Sequence, residues 1–234
     1  MNPDMSVFFQ NEASHTEGGL KQYLSALIAE MHRVAAYYSS RQWELARAAE
    51  DATVTVTYSS TGEGAFRGVY TPSLVCPYAV TGYRKGRMLK TKPASGTYFS
   101  YALDGDGRLL QADHYAKGRL QTTEYLVRTN PAAEYGLVFG QGMLLIGNRT
   151  VYDDKGCIAE YFESRMPLMK GQNLFEYEKY YYDDSVRGSL EGADKVWNGI
   201  YPSCFRYCRY ALIGKGEKTT LLTVSDQVIS FENG

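Results

Sequence analysis

The feature that most constrains this chain is a change of period at residue 53. Before it, apolar residues recur at helical spacing. After it, they recur at every second position. Leu20, Leu24, Leu27, Ile28, Met31, Ala35 and Tyr38 fall on one face of an amphipathic helix. Ser14 and Glu17 have the spacing of a capping box, which marks its start. Ser39 and Gln42 repeat that spacing, and Trp43 lies off the first stripe. The helix is therefore expected to break near Ser39, with a second helix over about residues 40–51; one long bent helix is the alternative. The apolar stripe needs a partner, and a sheet face is the natural one.

From Thr53 the residues alternate through Tyr58, which predicts a strand with Val54, Val56 and Tyr58 on one face. Ser59 to Gly64 is turn-rich, and Phe66 to Tyr70 reads as the return strand of a hairpin. Pro72 and Pro77 bracket an edge strand or loop. Further on, Gly86, Gly107, Gly118, Gly156 and Gly188 each follow a polar turn and precede a new apolar run. Hairpin turns need positive φ, which glycine adopts without strain. Strands are expected at 97–103, 108–115, 119–128, 143–152, 157–164, 174–182, 205–213 and 219–224, with 227–231 as another. Their order suggests a meander.

At 234 residues, with 44% hydrophobic and 22% charged composition, the chain can bury a core without cross-links. Its net charge of -1 offers no basic field for nucleic acid, although Arg84, Lys85, Arg87, Lys90 and Lys92 form a local basic stretch. The first residues lack the pattern of a signal peptide, and no run is long and apolar enough for a membrane helix, so a cytoplasmic location is expected. Cys76, Cys157, Cys204 and Cys208 read as buried thiols. Cys204 and Cys208 share a strand face, but no second pair completes a zinc set.

Two segments carry a resemblance. Tyr152-Asp153-Asp154-Lys155-Gly156-Cys157-Ile158 resembles the YD-repeat pattern, and Leu103-Asp104-Gly105-Asp106-Gly107-Arg108-Leu109 matches it from the aspartate onward. Similar hairpins occur in YD-repeat shells of bacterial polymorphic toxins and in MORN-like antitoxin and immunity components. The resemblance spans roughly 98–190 and implies a role in such a toxin–immunity system.

The sequence offers little catalytic chemistry. Of the three histidines, His15 and His32 belong to the helical region. His114 adjoins Asp113 on a strand, where neighbours point to opposite faces, so Asp113 is poorly placed to orient it. Asp104 to Gly107 lacks the later ligands of a calcium loop and reads as a tight turn. Gly140-Gln141-Gly142 and the stretch 214–219 lack dinucleotide and phosphate-loop spacing. Asp153, Asp154, Asp183, Asp184, Glu160, Glu163, Glu176 and Glu178 are the carboxylates that could pair for hydrolysis.

Tyrosine occurs 21 times, which suits half-buried strands and also binding surfaces. The most distinctive surface candidate is Tyr177, Tyr180, Tyr181, Tyr182, Asp183 and Asp184, with Glu176 and Glu178 beside them. Aromatic rings beside acids suit a basic protein partner. The expected fold is α+β: a helix or helix pair within 1–52 on a large, mainly antiparallel meander sheet over 53–234, whose closure is left open between an open sheet, a sandwich and a half-barrel. The expected function is non-enzymatic binding, with no cofactor, and with an immunity role implied by the resemblance. The alternatives are a carrier of lipid or another small hydrophobic ligand, and a carboxylate-dependent hydrolase.

Overall fold

The computed structural model describes residues 16–61, 67–75, 86–166, 174–183, 189–198, 204–213 and 220–230. Ser14, His15, Phe66, Cys76, Pro77, Arg84, Lys85, Asp184, Gly188 and the stretch 214–219 lie outside them.

The apolar stripe forms helix α1 (Thr16–Tyr38), and a second helix, α2 (Gln42–Ala52), follows a short break. Backbone bonds close the break: Ser39 N–H donates to Ala35 O at 2.8 Å and Arg41 N–H to Tyr38 O at 2.9 Å. The second capping box does not form. Arg41 is the N-cap residue, without a side-chain cap, and Ser39 Oγ donates back to Ala36 O at 3.1 Å.

Among the described residues twelve strands follow: β1 (Thr55–Ser60), β2 (Met88–Leu89), β3 (Tyr98–Leu103), β4 (Leu109–Ala116), β5 (Arg119–Asn130), β6 (Ala133–Gly140), β7 (Met143–Tyr152), β8 (Ile158–Arg165), β9 (Phe175–Tyr182), β10 (Leu190–Trp197), β11 (Cys204–Ile213) and β12 (Thr220–Ser230). They make one antiparallel sheet. From β3 to β12 each strand pairs with its neighbour in sequence, and β1 inserts between β3 and β2. The order is linear, with β12 at one edge and β2 at the other, so the sheet is an open meander and not a barrel.

The two YD-like motifs make the same turn. Asp104 Oδ1 accepts the N–H groups of Asp106 (2.9 Å) and Arg108 (2.8 Å). Asp153 Oδ1 accepts those of Lys155 (2.9 Å) and Cys157 (2.7 Å). Gly107 and Gly156 hold φ of 77° and 79°, which an L side chain would strain. The aspartate oxygen that a calcium loop would turn toward a cation instead caps its own turn.

Three expectations are corrected. First, β1 pairs with β3 and β2, and Gly68–Tyr70 is a single 3-10 turn, so the described part of the expected return strand, 67–70, does not pair with β1. Val54 and Val56 are exposed while Ser59 is buried, because Ser59 Oγ meets the buried Tyr101 hydroxyl at 2.7 Å. Second, β6 and β10 are additional strands. Third, 220–230 is one strand in which the register slips at Val224, a bulge that interrupts the alternation.

The main core lies between α1 and one sheet face. Leu20, Leu24, Leu27, Ile28 and Met31 meet Phe162, Phe175, Tyr177, Val196, Phe205 and Tyr207. Lower on the same face, Ala35, Leu45 and Ala49 meet Tyr125, Leu137, Phe139 and Leu144. A Cβ on Gly147 would strike Met31, so that glycine lets the helix approach β7.

Candidate functional site

Strand residues alternate between faces, so the neighbours of these core residues point away from the helices. On that second face the strand register lines up two polar rows. One runs Arg128, Glu134, Thr150, Tyr161, Glu178, Lys195, Cys208, Asp226 from β5 to β12. The next runs Gly136, Asn148, Glu163, Glu176, Trp197, Arg206, Val228 from β6 to β12. Cross-strand neighbours on one face stand close enough to pair charges directly.

Residues 67–75 cross part of this face as a strap. Arg67 adopts left-handed backbone (φ 57°), and the buried Tyr101 hydroxyl holds its carbonyl at 2.8 Å. Its guanidinium is fully enclosed. Nε lies 2.9 Å from Glu124 Oε1, Nη1 lies 3.2 Å from Glu134 Oε1, and Nη2 donates to Asn148 Oδ1 at 2.7 Å. Asn148 Nδ2 also donates to Glu124 at 2.7 Å, and Arg128 Nη2 reaches Glu134 at 2.9 Å. A Cβ at Gly136 would run into Glu124, Asn148 and Arg67 together, so the cluster occupies the space where a side chain would stand. Burial alone would lower the Arg67 pKa, but Glu124 and Glu134 outweigh it, and the charge is kept.

Farther along the strap, Ser73 Oγ donates to Glu178 Oε1 at 2.9 Å and Leu74 N–H donates to Tyr180 Oη at 3.0 Å. The Tyr180 hydroxyl donates to Glu178. Lys195 Nζ bridges Glu178 (3.0 Å) and Glu176 (2.7 Å). Burial pushes Lys195 down, while Glu178 and Glu176 together hold it above the ordinary lysine range. Between the two clusters sits Glu163. Burial pushes its carboxyl up to about 7, and Glu176 and Glu124 add to the rise against a hydrogen bond from Tyr161 at 2.7 Å. Glu163 and Glu176 are direct cross-strand partners, one buried and one half-exposed. Acid–base chemistry would need the Glu163 carboxyl open to a substrate, and here it is closed over.

The rows emerge from cover at β10 to β12. The Trp197 ring has Arg206 Cζ at 5.5 Å from its centroid and Lys195 Nζ at 6.0 Å, within cation–π range. The Arg206 side chain is 51% exposed and donates from Nε to Asp226 Oδ1 at 2.7 Å; this contact pulls the Asp226 pKa down to about 2. Glu176 and Val228 flank Trp197 and Arg206 in the same row.

The expected binding cluster is divided by this geometry. Tyr177, Glu178 and Tyr180 are buried and cannot meet a partner as placed, because β9 is a central strand covered on both faces. Tyr177 lies under α1, its ring 5.8 Å from Tyr23. Tyr181 also points to the helix side and donates to the buried Asp194 at 2.6 Å, beside Arg209. Tyr182 donates to Ile158 O at 2.7 Å, and Asp183 N–H closes onto Ser189 O at 2.9 Å. Glu176 is half-exposed, Asp183 is partly exposed, and Asp184 lies outside the described residues. Sequence reasoning missed Lys195, Trp197 and Arg206. The signal for Lys195 and Trp197 was their alternation in a segment not read as a strand, whereas Arg206 lay within the strand expected at 205–213.

His114 stacks on Phe99 at 4.8 Å, and burial lowers its pKa; Asp113 instead accepts from Gln111 and Thr123. Cys157 and Cys208 are free thiols, and no group of three His, Cys, Asp or Glu among the described residues is placed to hold a metal. No helix among them is long and apolar enough to cross a membrane. No family model matches the chain, and no curated protein matches it.

Proposed function

We propose that this protein is a non-enzymatic binding protein that acts by protein–protein contact, in an immunity or antitoxin role of the kind its YD-like hairpins resemble. The observation that carries the reading is the Trp197–Arg206 pair at the end of the polar rows. An aromatic ring flanked by guanidinium and ammonium groups, beside a half-exposed acid, is the composition of an interface anchor. Its charges are already held in place by Asp226, Glu176 and Glu178, so little side-chain freedom is lost on docking.

Deleting the 176–184 hairpin would remove a central strand and would test folding alone. The informative experiment is co-expression with the product of the neighbouring gene, followed by titration calorimetry. Trp197→Ala and Arg206→Ala are each expected to weaken binding at least about tenfold with unchanged circular dichroism. Undiminished binding in both variants would overturn the assignment.

One observation favours a second reading, a carrier of a small apolar ligand. A cavity of about 620 Å³ opens between α1 and the β6–β7 turn, lined by His32, Ala35, Ala36, Met143, Leu144 and Met166. Native mass spectrometry after gentle purification would show a bound apolar molecule if this reading holds, and polypeptide mass alone if it fails.

A further inference from the structure

The two edges of the sheet are treated differently. The β2 edge is two residues long, a length that offers almost nothing to a passing strand. The β12 edge is eleven residues long and, among the described residues, pairs with β11 alone. Thr220 to Ser230 contains no lysine, arginine or proline. Its single charge, Asp226, is tied to Arg206 on the adjacent strand. Leu222, Val224 and Val228 are 53%, 59% and 73% exposed. Charged side chains, proline and short length are the usual protections of an edge; this one has a single bulge at Val224.

We infer that β12 is a homodimer interface, pairing antiparallel with β12 of a second copy about a two-fold axis normal to the sheet. The inference is independent of the toxin-binding reading. Three features select a second copy as the occupant. The strand carries no unpaired charge that would select a charged partner strand. Two identical neutral edges meet without like-charge repulsion, since each Asp226 stays with its own Arg206. Finally, only β12 offers the full length on both sides. Pairing β12 with the two-residue β2 edge of another copy would leave most of it open and would propagate without closing. The contact line is roughly 37 Å long at strand rise. Without a second layer such an interface sits at the small end of stable ones, so the dimer should dissociate on dilution.

Sedimentation equilibrium of the full chain tests this. At about 100 µM the wild type is expected at twice the protomer mass, falling toward the protomer mass on dilution. The double variant Leu222→Lys/Val224→Lys should stay at the protomer mass at all these concentrations, with unchanged circular dichroism. Hydrogen exchange gives a second readout on the unmodified protein: amides of 220–230 should exchange about tenfold more slowly at high than at low concentration. A wild type at protomer mass throughout, or exchange in β12 independent of concentration, would overturn the proposal; so would a folded double variant that still dimerises.

Discussion

The two faces of the sheet are buried by opposite chemistry. Under α1, leucine, isoleucine and methionine meet phenylalanine, tyrosine and valine. Under the strap, one arginine meets two glutamates and an asparagine, and a serine meets a third glutamate. Adjacent residues of one strand serve both, as Tyr177 and Glu178 do. The apolar face derives its stability from area removed from water, and neighbours can relax around a lost methyl group. The ionic face has no such tolerance. Each charge there is acceptable only while its partners are present, so its value lies in fixing the strap and the register more than in net stability.

Removing the centre of each face separates the two chemistries most clearly. Arg67→Met leaves Glu124 and Glu134 enclosed with less compensation, and urea denaturation should show a loss of about 3–5 kcal/mol. Leu24→Ala, fully buried in α1, should cost about 2–5 kcal/mol. The two differ in remedy. Replacing Arg67, Glu124 and Glu134 together by apolar residues of similar size should recover much of the first loss.

A smaller effect comes from Glu163, whose folded pKa stands near 7 against an ordinary value of 4.5. The folded state then holds a proton that the unfolded state releases between those values. The corresponding stability is full below about pH 4.5 and is lost as pH rises through 7. His114, lowered by burial, acts in the opposite sense, so the comparison must be made with Glu163→Gln. Relative to that variant, the wild type should lose thermal stability from pH 5 to pH 8. A constant difference between the two would contradict the burial of a protonated carboxyl.

The smallest effect lies back on the helix face. The Tyr177 hydroxyl is buried without a hydrogen-bond partner among the described residues. Tyr177→Phe should therefore be neutral or stabilise by up to about 1 kcal/mol, whereas a functional or well-bonded tyrosine would lose stability.

This division also explains what was legible in the sequence. The helix pair, its break and most strands follow from apolar period and turn glycines. The second face could not be read, because its buried residues are glutamate, arginine and asparagine, which pattern analysis assigns to solvent. β6 was hidden because it is buried on both sides and its Gly136 makes room for Arg67, so it shows no alternation. β10 was hidden by Gly192 and the buried Asp194, which resemble a loop. For the same reason, Glu178 and Tyr180 looked like surface residues, and the more exposed Trp197 and Arg206 went unnoticed. The strap itself depends on contacts between residues far apart in sequence, such as Arg67 and Asn148, which no local pattern encodes.

A coupled ionic cluster clamps the strap. A double-mutant cycle on Arg67→Met and Glu124→Gln, followed by urea denaturation, measures that coupling. The double variant is expected to be less destabilised than the sum of the singles, by about 1–3 kcal/mol. Additivity within about 0.5 kcal/mol would show that Arg67 and Glu124 act independently, and would contradict the clamp.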